Sequence, residues 1–173
     1  MSGIATKTAR LVAALPPGSK TRITDTRKTT PGLRALERYA VRCGGGHNHR
    51  DDLSSAVLIK DNHIAACGSV REAISRARAF APHTSKIECE VDGLEQLREA
   101  LDAGADIVLL DNFDDAALAE AVAIVDGRAF VEVSGRVTLE RIPIIAAAGV
   151  DAISVGGLTH SAAAVDLGLD WGT

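Results

Sequence analysis

Residues 105–112 read Ala-Asp-Ile-Val-Leu-Leu-Asp-Asn, four consecutive apolar residues followed at once by two polar ones. An apolar run of strand length without alternation is typical of a strand buried on both faces, as in a parallel sheet covered by helices. Similar runs recur along the chain. We predict strands at Arg22–Asp25, Ala56–Ile59, Ile87–Val91, Ile107–Leu110, Ala129–Val133 and Ala152–Val155.

Helical patterns separate these predicted strands. Ser69 and Glu72 have the spacing of a capping box, which marks the start of one helix. Other apolar residues repeat at helical spacing before a glycine. We predict further helices over Ile4–Leu15, from Thr30 with Leu33, Leu36 and Tyr39 as its apolar face, over Leu94–Leu101, over Leu118–Val125, and from a cap at Thr138.

The order is one helix followed by six strand–helix units, which predicts an α/β fold with parallel strands. Since no linker or composition shift divides the chain, we expect one domain over residues 1–173. We favour an incomplete (β/α) barrel with six or seven strands over an open doubly wound sheet. A short seventh strand is expected near Val41–Cys43 or Gly46–His49.

Composition excludes several classes of protein. Apolar residues make up 46% of the 173 residues, too many for a disordered chain, and the net charge of −4 argues against a bulk-basic nucleic-acid binder. No apolar run approaches the roughly 18 residues of a membrane span, and the N-terminal apolar stretch is too short for a secretory signal. Three cysteines without metal spacing indicate free thiols in a reducing compartment. We therefore expect a cytoplasmic protein.

Polar residues collect where the predicted strands end. In an α/β barrel the carboxyl ends of the strands ring one face, and active sites lie there. Four cations and two carboxylates in this ring suit a substrate with several negative charges and Mg²⁺ held with phosphates, while glycine turns offer backbone N–H groups to a phosphate. These residues are Arg27, Lys28, Arg50, Lys60, Glu90, Asp111, Ser134, Gly135, Gly156 and Gly157.

Each of these residues also has a simpler interpretation. A single carboxylate after a strand, such as Asp111, is more often a turn or cap residue. The pair His47 and His49 after Cys43 suggests zinc, but no second ligand pair at a standard spacing accompanies it. Cys67 and Cys89 are expected to be small core residues.

Several motifs together carry a specific resemblance. In order along essentially the whole chain, they resemble those of quinolinate phosphoribosyltransferases, also called carboxylating nicotinate-nucleotide pyrophosphorylases. The first three are the most specific. The motifs occupy Thr26–Arg34, Arg42–Arg50, Leu58–His63, Glu88–Val91, Leu109–Asn112, Val133–Gly135 and Ser154–His160.

The resemblance implies an α/β barrel of seven strands and an activity. The enzyme would transfer phosphoribose from phosphoribosyl pyrophosphate to quinolinate and release pyrophosphate and CO₂, on the de novo route to NAD. It implies catalytic roles for Lys28, Lys60, Glu90 and Asp111, with Mg²⁺ entering with pyrophosphate at Glu90 and Asp111 and no bound organic cofactor. Those four and the following would bind substrate: Thr26, Arg27, His49, Arg50, Ser134, Gly135, Arg136, Val155, Gly156, Gly157 and His160.

The chain also departs from the family pattern. An N-terminal α+β domain that the family has is not found in these residues, and neither Arg10 nor Arg22 replaces its quinolinate-binding arginine by motif. An apolar surface left uncovered is an interaction surface, so we expect a homodimer or a partner that supplies that domain. Asp51 and Asp52 place two negative charges next to Arg50, and an arginine stands at position 136 where the family usually has a small residue.

Two other hypotheses remain beside the enzyme. One is a non-catalytic or partner-dependent paralogue that keeps only phosphate binding. The other is a related phosphoribosyltransferase-like protein associated with molybdate transport, a group that tends to lose the motif present here at Lys60–His63. The intact motif favours the enzyme over this second alternative.

Overall fold

The structure, a computed structural model, describes residues 1–172. Strands and helices alternate after a first helix. The strands are β1 (Arg22–Thr24), β2 (Val57–Ile59), β3 (Ile87–Val91), β4 (Ile107–Asp111), β5 (Phe130–Ser134) and β6 (Ala152–Ser154). The helices are α1 (Ser2–Ala13), α2 (Arg34–Cys43), α3 (Asp61–Cys67), α4 (Val70–Phe80), α5 (Leu94–Asp102), α6 (Asp115–Val125), α7 (Ile142–Ala147) and α8 (Gly157–His160).

The six strands form one parallel sheet in the order β1-β6-β5-β4-β3-β2. Strands β1 and β2 are its two edges and do not pair with each other within residues 1–172. The predicted α/β class and the incomplete barrel of parallel strands are therefore confirmed. All six predicted strands are present, each within one residue of its predicted ends.

A seventh strand is reduced to a single bridge beside β1. His47 pairs in parallel with Thr24, whereas the alternative location at Val41–Cys43 lies inside α2. The buried carboxylate of Asp25 accepts hydrogen bonds from Asn48 Nδ2 at 2.6 Å and from the His49 amide at 2.7 Å. Two backbone hydrogen bonds also join the segment to the sheet edge, from the His47 amide to the Ile23 carbonyl at 2.8 Å and from the Asp25 amide to the His47 carbonyl at 3.1 Å.

The core is aliphatic, as the low aromatic content predicts. Large side chains under 2% exposed include Ile74, Ile87, Leu97 and Ile153. One of the two hydrogen bonds of the predicted capping box is present at the start of α4, where Ser69 Oγ accepts from the Glu72 amide at 3.1 Å. Within residues 1–172, no helix combines the length and the apolar character that crossing a membrane requires.

The predicted apolar face of α2 is wrong. Leu33, Leu36 and Tyr39 are 39%, 54% and 60% exposed. The buried face instead carries Ala40, Val41 and Glu37, and the Glu37 carboxylate accepts a hydrogen bond from the Thr30 amide at 3.1 Å. Two small apolar residues and one hydrogen-bonded carboxylate thus face the core, and the larger apolar side chains face outward.

The predicted cap at Thr138 is also wrong. Its carbonyl accepts a hydrogen bond from the Arg141 amide at 3.2 Å in a turn, and α7 begins only at Ile142. Pro143 lies in the first turn of that helix, where a missing N–H leaves no bond unmade. The guanidinium of Arg141 instead ties the turn to Asp115, with Nη2 2.6 Å from Oδ1.

We expect the three free cysteines to differ strongly in reactivity. Cys43 is exposed, Cys67 is intermediate and Cys89 is fully buried. Burial, with added repulsion from nearby carboxylates, raises the pKa of Cys89 to about 12. Because the thiolate is the nucleophile, iodoacetamide at pH 8 should label Cys43 first and leave Cys89 unmodified until the chain is unfolded in urea. Mass spectrometry of tryptic peptides measures this, and labelling of native Cys89 at the rate of Cys43 would contradict it.

Candidate active site

Two adjoining cavities lie at the carboxyl ends of the strands. One, of about 330 Å³, contains Arg27, His49 and Arg50, and we call it the arginine cavity. The other, of about 650 Å³, lies between α1 and the turns after β5 and β6, and we call it the glycine-loop cavity. Both are lined by Lys28, Asp111, Ser134 and Ser154, so these four residues form the junction between them.

All fifteen site residues that the sequence predicts line one cavity or the other. Lys28, Asp111 and Ser134 line both. The arginine cavity also holds Thr26, Arg27, His49, Arg50, Lys60 and Glu90. The glycine-loop cavity also holds Gly135, Arg136, Val155, Gly156, Gly157 and His160.

Two arginines in the arginine cavity face each other without a carboxylate bonded to either. Arg27 Nε is buried and has no hydrogen-bond partner in residues 1–172, and Arg50 Nη1 donates to the Ala56 carbonyl at 3.3 Å. Burial and the neighbouring Arg27 charge lower the pKa of Arg50. Donors left unpaired in a partly buried pocket favour an anionic ligand that accepts their hydrogen bonds.

Two carboxylates, Glu90 and Asp111, also line the arginine cavity. Lys60, the residue after β2 and before α3, forms an ion pair with Glu90 on β3. Asp111 ends β4, and its Oδ2 accepts a hydrogen bond from Asn112 Nδ2 at 2.6 Å. The Asn112 amide in turn donates to the Ser134 carbonyl at 2.9 Å, so β5 sets the orientation of Asp111.

The turn after β5 requires unusual backbone at two consecutive residues. Gly135 has a φ of 79°, and a Cβ there would lie 2.2 Å from Asn112 Oδ1, so no side chain fits. Arg136 follows with a φ of 50°, in the left-handed region that non-glycine residues rarely adopt. Arg136 thus lines the glycine-loop cavity from a strained backbone conformation.

Helix α1 contributes two cations that sequence reasoning did not assign to the site. Lys7 and Arg10 both line the glycine-loop cavity. Lys7 Nζ donates to the carbonyls of Gly157 at 2.7 Å and Ser161 at 3.1 Å, which fixes the turn after β6 against the helix. The only sequence signal was their spacing of three residues, which places both on one helical face.

Two buried glutamates below the arginine cavity were also missed. Glu88 on β3 and Glu132 on β5 are 4% and 5% exposed, and their Oε1 atoms lie 3.5 and 3.3 Å from His49 Nε2. Burial lowers the pKa of His49, but hydrogen bonding to Glu132 and Glu88 outweighs it and raises the pKa to about 10. The sequence did contain a signal for them. Glu88 lies two residues before Glu90 and Glu132 lies two residues before Ser134, so each shares a strand face with a predicted site residue.

Zinc at Cys43, His47 and His49 is not supported within residues 1–172. The one group there with ligand atoms within 4.8 Å of one another is His49 with Glu88 and Glu132. Cys43 and His47 do not belong to this group, and both residues are exposed.

The acidic pair after Arg50 does not enter either cavity. Asp51 Oδ1 lies 3.2 Å from Arg38 Nε, and Asp52 Oδ1 accepts hydrogen bonds from Ser54 and Ser55 in its own turn. Both aspartates are exposed, and neither lines the cavities. Their charges are thus neutralised or solvated outside the site.

Known proteins share this fold and sequence over nearly the whole chain. The family model described as quinolinate phosphoribosyl transferase, C-terminal domain, matches residues 4–170. The chain is 51% identical to a nicotinate-nucleotide pyrophosphorylase [carboxylating] of Mycobacterium leprae over 98% of its length and 60% of the relative's. It is 48% identical to a probable one of Bacillus subtilis and 41% identical to the human one, covering 58% of each.

Solved structures agree with these relatives. A nicotinate-nucleotide pyrophosphorylase from Ehrlichia chaffeensis superposes with a TM-score of 0.92 at 46% identity, over 97% of this chain and 61% of that one. The Francisella tularensis structure gives 0.89 at 45% identity, over 95% and 58%. This chain therefore spans about three fifths of the length of these relatives. With the match over residues 4–170 and this level of identity, the chain belongs to the quinolinate phosphoribosyl transferase family.

Proposed function

We propose that this chain carries the catalytic barrel of a quinolinate phosphoribosyltransferase. The reaction joins quinolinate to the ribose of phosphoribosyl pyrophosphate and yields nicotinate mononucleotide, pyrophosphate and CO₂, for NAD biosynthesis. The observation that carries the proposal is the meeting of two cationic cavities at Lys28 and Asp111, within a member of this family. A reaction between two anionic substrates needs such a junction.

The two cavities suit the two substrates separately. Quinolinate is a small dicarboxylate, and the unpaired Arg27 Nε and the neighbouring Arg50 guanidinium suit its carboxylates. The donor's phosphates suit the larger cavity, where Arg136 and Lys7 add positive charge and Gly156 leaves room for close backbone approach. A Cβ on Gly156 would lie 3.2 Å from Lys28 Cδ and 3.3 Å from His160 Nε2, which would already crowd that space.

Chemistry at the junction requires positioning and charge but no protein nucleophile. The pyridine nitrogen forms a bond to the anomeric carbon, and the bond to pyrophosphate breaks with its electron pair leaving on oxygen. Positive charge develops on the ribose, where the Asp111 carboxylate stabilises it, while the Lys28 ammonium stabilises the departing phosphate. Asn112 keeps the Asp111 carboxylate in the required orientation.

Loss of CO₂ follows from the charge on the new nucleotide. The pyridinium ring accepts the electron pair of the breaking bond between the ring and the adjacent carboxylate, and a proton then takes the place of CO₂ on that carbon. A group that held this carboxylate tightly throughout would oppose its departure. The arginine cavity must therefore bind the two carboxylates unequally.

Mg²⁺ would enter with the pyrophosphate of the donor. Its preferred ligands are carboxylate and phosphate oxygens, and Asp111 at the junction fits that donor type. Glu90 already forms an ion pair with Lys60, so it would become a second Mg²⁺ ligand only by binding the ion and Lys60 at the same time. When bound, the ion supplies electrostatic stabilisation of the leaving pyrophosphate.

We also propose that the protein is a cytoplasmic homodimer or works with a partner domain. Free thiols support a reducing compartment, and the exposed Leu33, Leu36 and Tyr39 on α2 support a covered interface. These three side chains are defined here as the α2 patch.

Light scattering across a range of concentrations should give a mass above that of one 173-residue chain. Leu36→Glu places a charge in the α2 patch and should shift the population towards monomer. Phe80→Glu, at an apolar side chain 95% exposed on α4, is the matched control and should leave the mass unchanged. A monomer at every concentration would contradict the homodimer.

The proposed reaction is tested by one assay. The purified chain is incubated with Mg²⁺, quinolinate and phosphoribosyl pyrophosphate, and nicotinate mononucleotide is detected by mass. Asp111→Asn should lower kcat/KM on the order of a hundredfold, because it removes charge stabilisation at the reacting carbon. Asp102→Asn, exposed on α5, is the control and should not change the rate.

Absence of product from a folded chain would count against catalysis by these residues alone. Calorimetry with phosphoribosyl pyrophosphate then separates the remaining hypotheses. Binding without turnover supports the partner-dependent or non-catalytic phosphate-binding paralogue, and no binding refutes that alternative as well.

Arg136 should have opposite effects on stability and on phosphate affinity. Arg136→Gly removes a non-glycine residue from the left-handed region, so the free energy of unfolding should rise by up to about 1 kcal/mol. The same change removes a guanidinium from the glycine-loop cavity and should weaken phosphate binding. Urea denaturation and calorimetry measure the two effects. Arg76→Gln on α4 controls for net charge, and unchanged phosphate affinity in Arg136→Gly would refute the binding role.

A further inference from the structure

Two arginines in the first half of α2 hold the loops that carry Arg27 and Arg50. Arg34 is the first residue of α2 and Arg38 lies one turn later, so both are on one face of the helix. Neither lines the arginine cavity. They contact the backbone of residues 25–33, after β1, and of residues 44–56, between α2 and β2. We call these segments the first loop and the second loop.

The Arg34 guanidinium is bonded to both loops at once. In the first loop, its Nη2 donates to the Arg27 carbonyl at 3.2 Å and its Nε donates to Thr29 Oγ1 at 3.0 Å. The Thr29 hydroxyl in turn donates to the Arg27 carbonyl at 3.4 Å. In the second loop, Arg34 Nη1 donates to the Asp51 carbonyl at 3.2 Å, one residue beyond Arg50. One planar guanidinium thus joins the backbone beside Arg27 to the backbone beside Arg50.

The second loop is also held without Arg34. Arg38 Nη1 donates to the carbonyls of His49 at 2.9 Å and Arg50 at 3.3 Å. The Asp25 carboxylate at the end of β1 accepts a hydrogen bond from the His49 amide at 2.7 Å. These bonds keep the second loop on the barrel whether or not the Arg34 guanidinium is present.

The first loop likewise has an anchor of its own. Thr159 Oγ1 in α8 donates to the Lys28 carbonyl at 2.6 Å. Since each loop is fixed to the barrel independently, the contribution of Arg34 is the link between them. Its loss should change the separation of Arg27 and Arg50 and leave the fold intact.

The separation of two guanidinium groups decides how well they bind one ligand together. Burial, with the neighbouring Arg27 charge, lowers the pKa of Arg50, so the two cations repel each other. A link between their loops opposes that repulsion. A dicarboxylate that contacts both arginines binds more tightly when their separation is already fixed, because less freedom is lost on binding.

We propose that Arg34 is a positioning residue that sets the separation of Arg27 and Arg50 in the arginine cavity. Arg34 ends the motif Thr26–Arg34, and the sequence assigns it no role in the site. It acts through the backbone of the two loops. The identity of the ligand that benefits, quinolinate, rests on the proposed function.

Crystal structures of the ligand-free chain test the separation directly. Arg34→Met keeps the length of the side chain but removes every N–H donor. We expect the distance between the guanidinium carbons of Arg27 and Arg50 to be longer in this variant than in wild type. Arg42→Met is the matched control, since Arg42 is exposed two turns after Arg34 on the same helix, and it should leave the distance unchanged. The wild-type distance in Arg34→Met would overturn the proposal.

Calorimetry with two ligands tests the consequence for binding. Arg34→Met should weaken quinolinate binding on the order of tenfold, because the arginines must be brought together on binding. The affinity for phosphoribosyl pyrophosphate, whose phosphates we place in the glycine-loop cavity, should stay within about twofold. Arg42→Met should change neither affinity, although it removes the same charge.

The outcomes separate positioning from a general loss of structure. Equal losses for the two ligands, or unchanged quinolinate affinity in Arg34→Met, would refute the positioning role. Urea denaturation of each variant checks that the chain is folded under the binding conditions. If wild type does not bind quinolinate, the proposed function fails, and the distance between Arg27 and Arg50 in crystals of Arg34→Met still decides the role of Arg34.

Discussion

Leu109 pairs with Glu132 and Asp111 pairs with Ser134 in the ladder between β4 and β5, and the same parallel direction runs through all six strands. Side chains two residues apart share a strand face, so a single register aligns two layers of residues. In this register Glu132 is level with Leu109 and, through it, with Glu90 on β3, whereas Glu88 is level with Ile107. Slipping any strand by one residue would turn its functional side chains towards the helices.

The charges around the arginine cavity explain how an acidic chain maintains a cationic pocket. Arg27 and Arg50 line this cavity without a bonded carboxylate, and mutual repulsion there is unfavourable in a partly buried site. The charge of the nearby Glu88 carboxylate offsets part of that cost for Arg50 without forming an ion pair with it. An anionic ligand would then meet free hydrogen-bond donors and not ion pairs that it must first break.

The glycine-loop cavity depends on a different constraint, which is close backbone approach. Gly135 has no room for a Cβ next to Asn112, and Lys7 holds the turn after β6 through its carbonyls. Helix α1 is therefore part of the site wall, although it is the segment farthest in sequence from the turn that it contacts. Charge and backbone shape together make this cavity suitable for an anion.

Prediction from sequence succeeded where a local pattern carried the information. Continuous apolar runs located the strands, and polar residues at their ends, together with the family resemblance, located fifteen of the residues that line the two cavities. It failed at α2, where Ala40, Val41 and Glu37 are buried in place of the larger apolar residues, and at Thr138, where a turn precedes the helix. The face of a helix that packs on the core depends on its neighbours in the fold, which the local pattern does not record.

The sequence by itself therefore determined the parallel α/β class, the strand positions and the residues at the strand ends. This is because a buried strand and the polar residues that end it form a short contiguous pattern of apolar and polar residues. Only the tertiary structure decided that the barrel stays open between β1 and β2, that Lys7 and Arg10 line the glycine-loop cavity, and that His49 lies beside Glu88 and Glu132. The physical reason is that these features depend on the distance and direction between atoms far apart in the chain, which residue type and spacing do not specify.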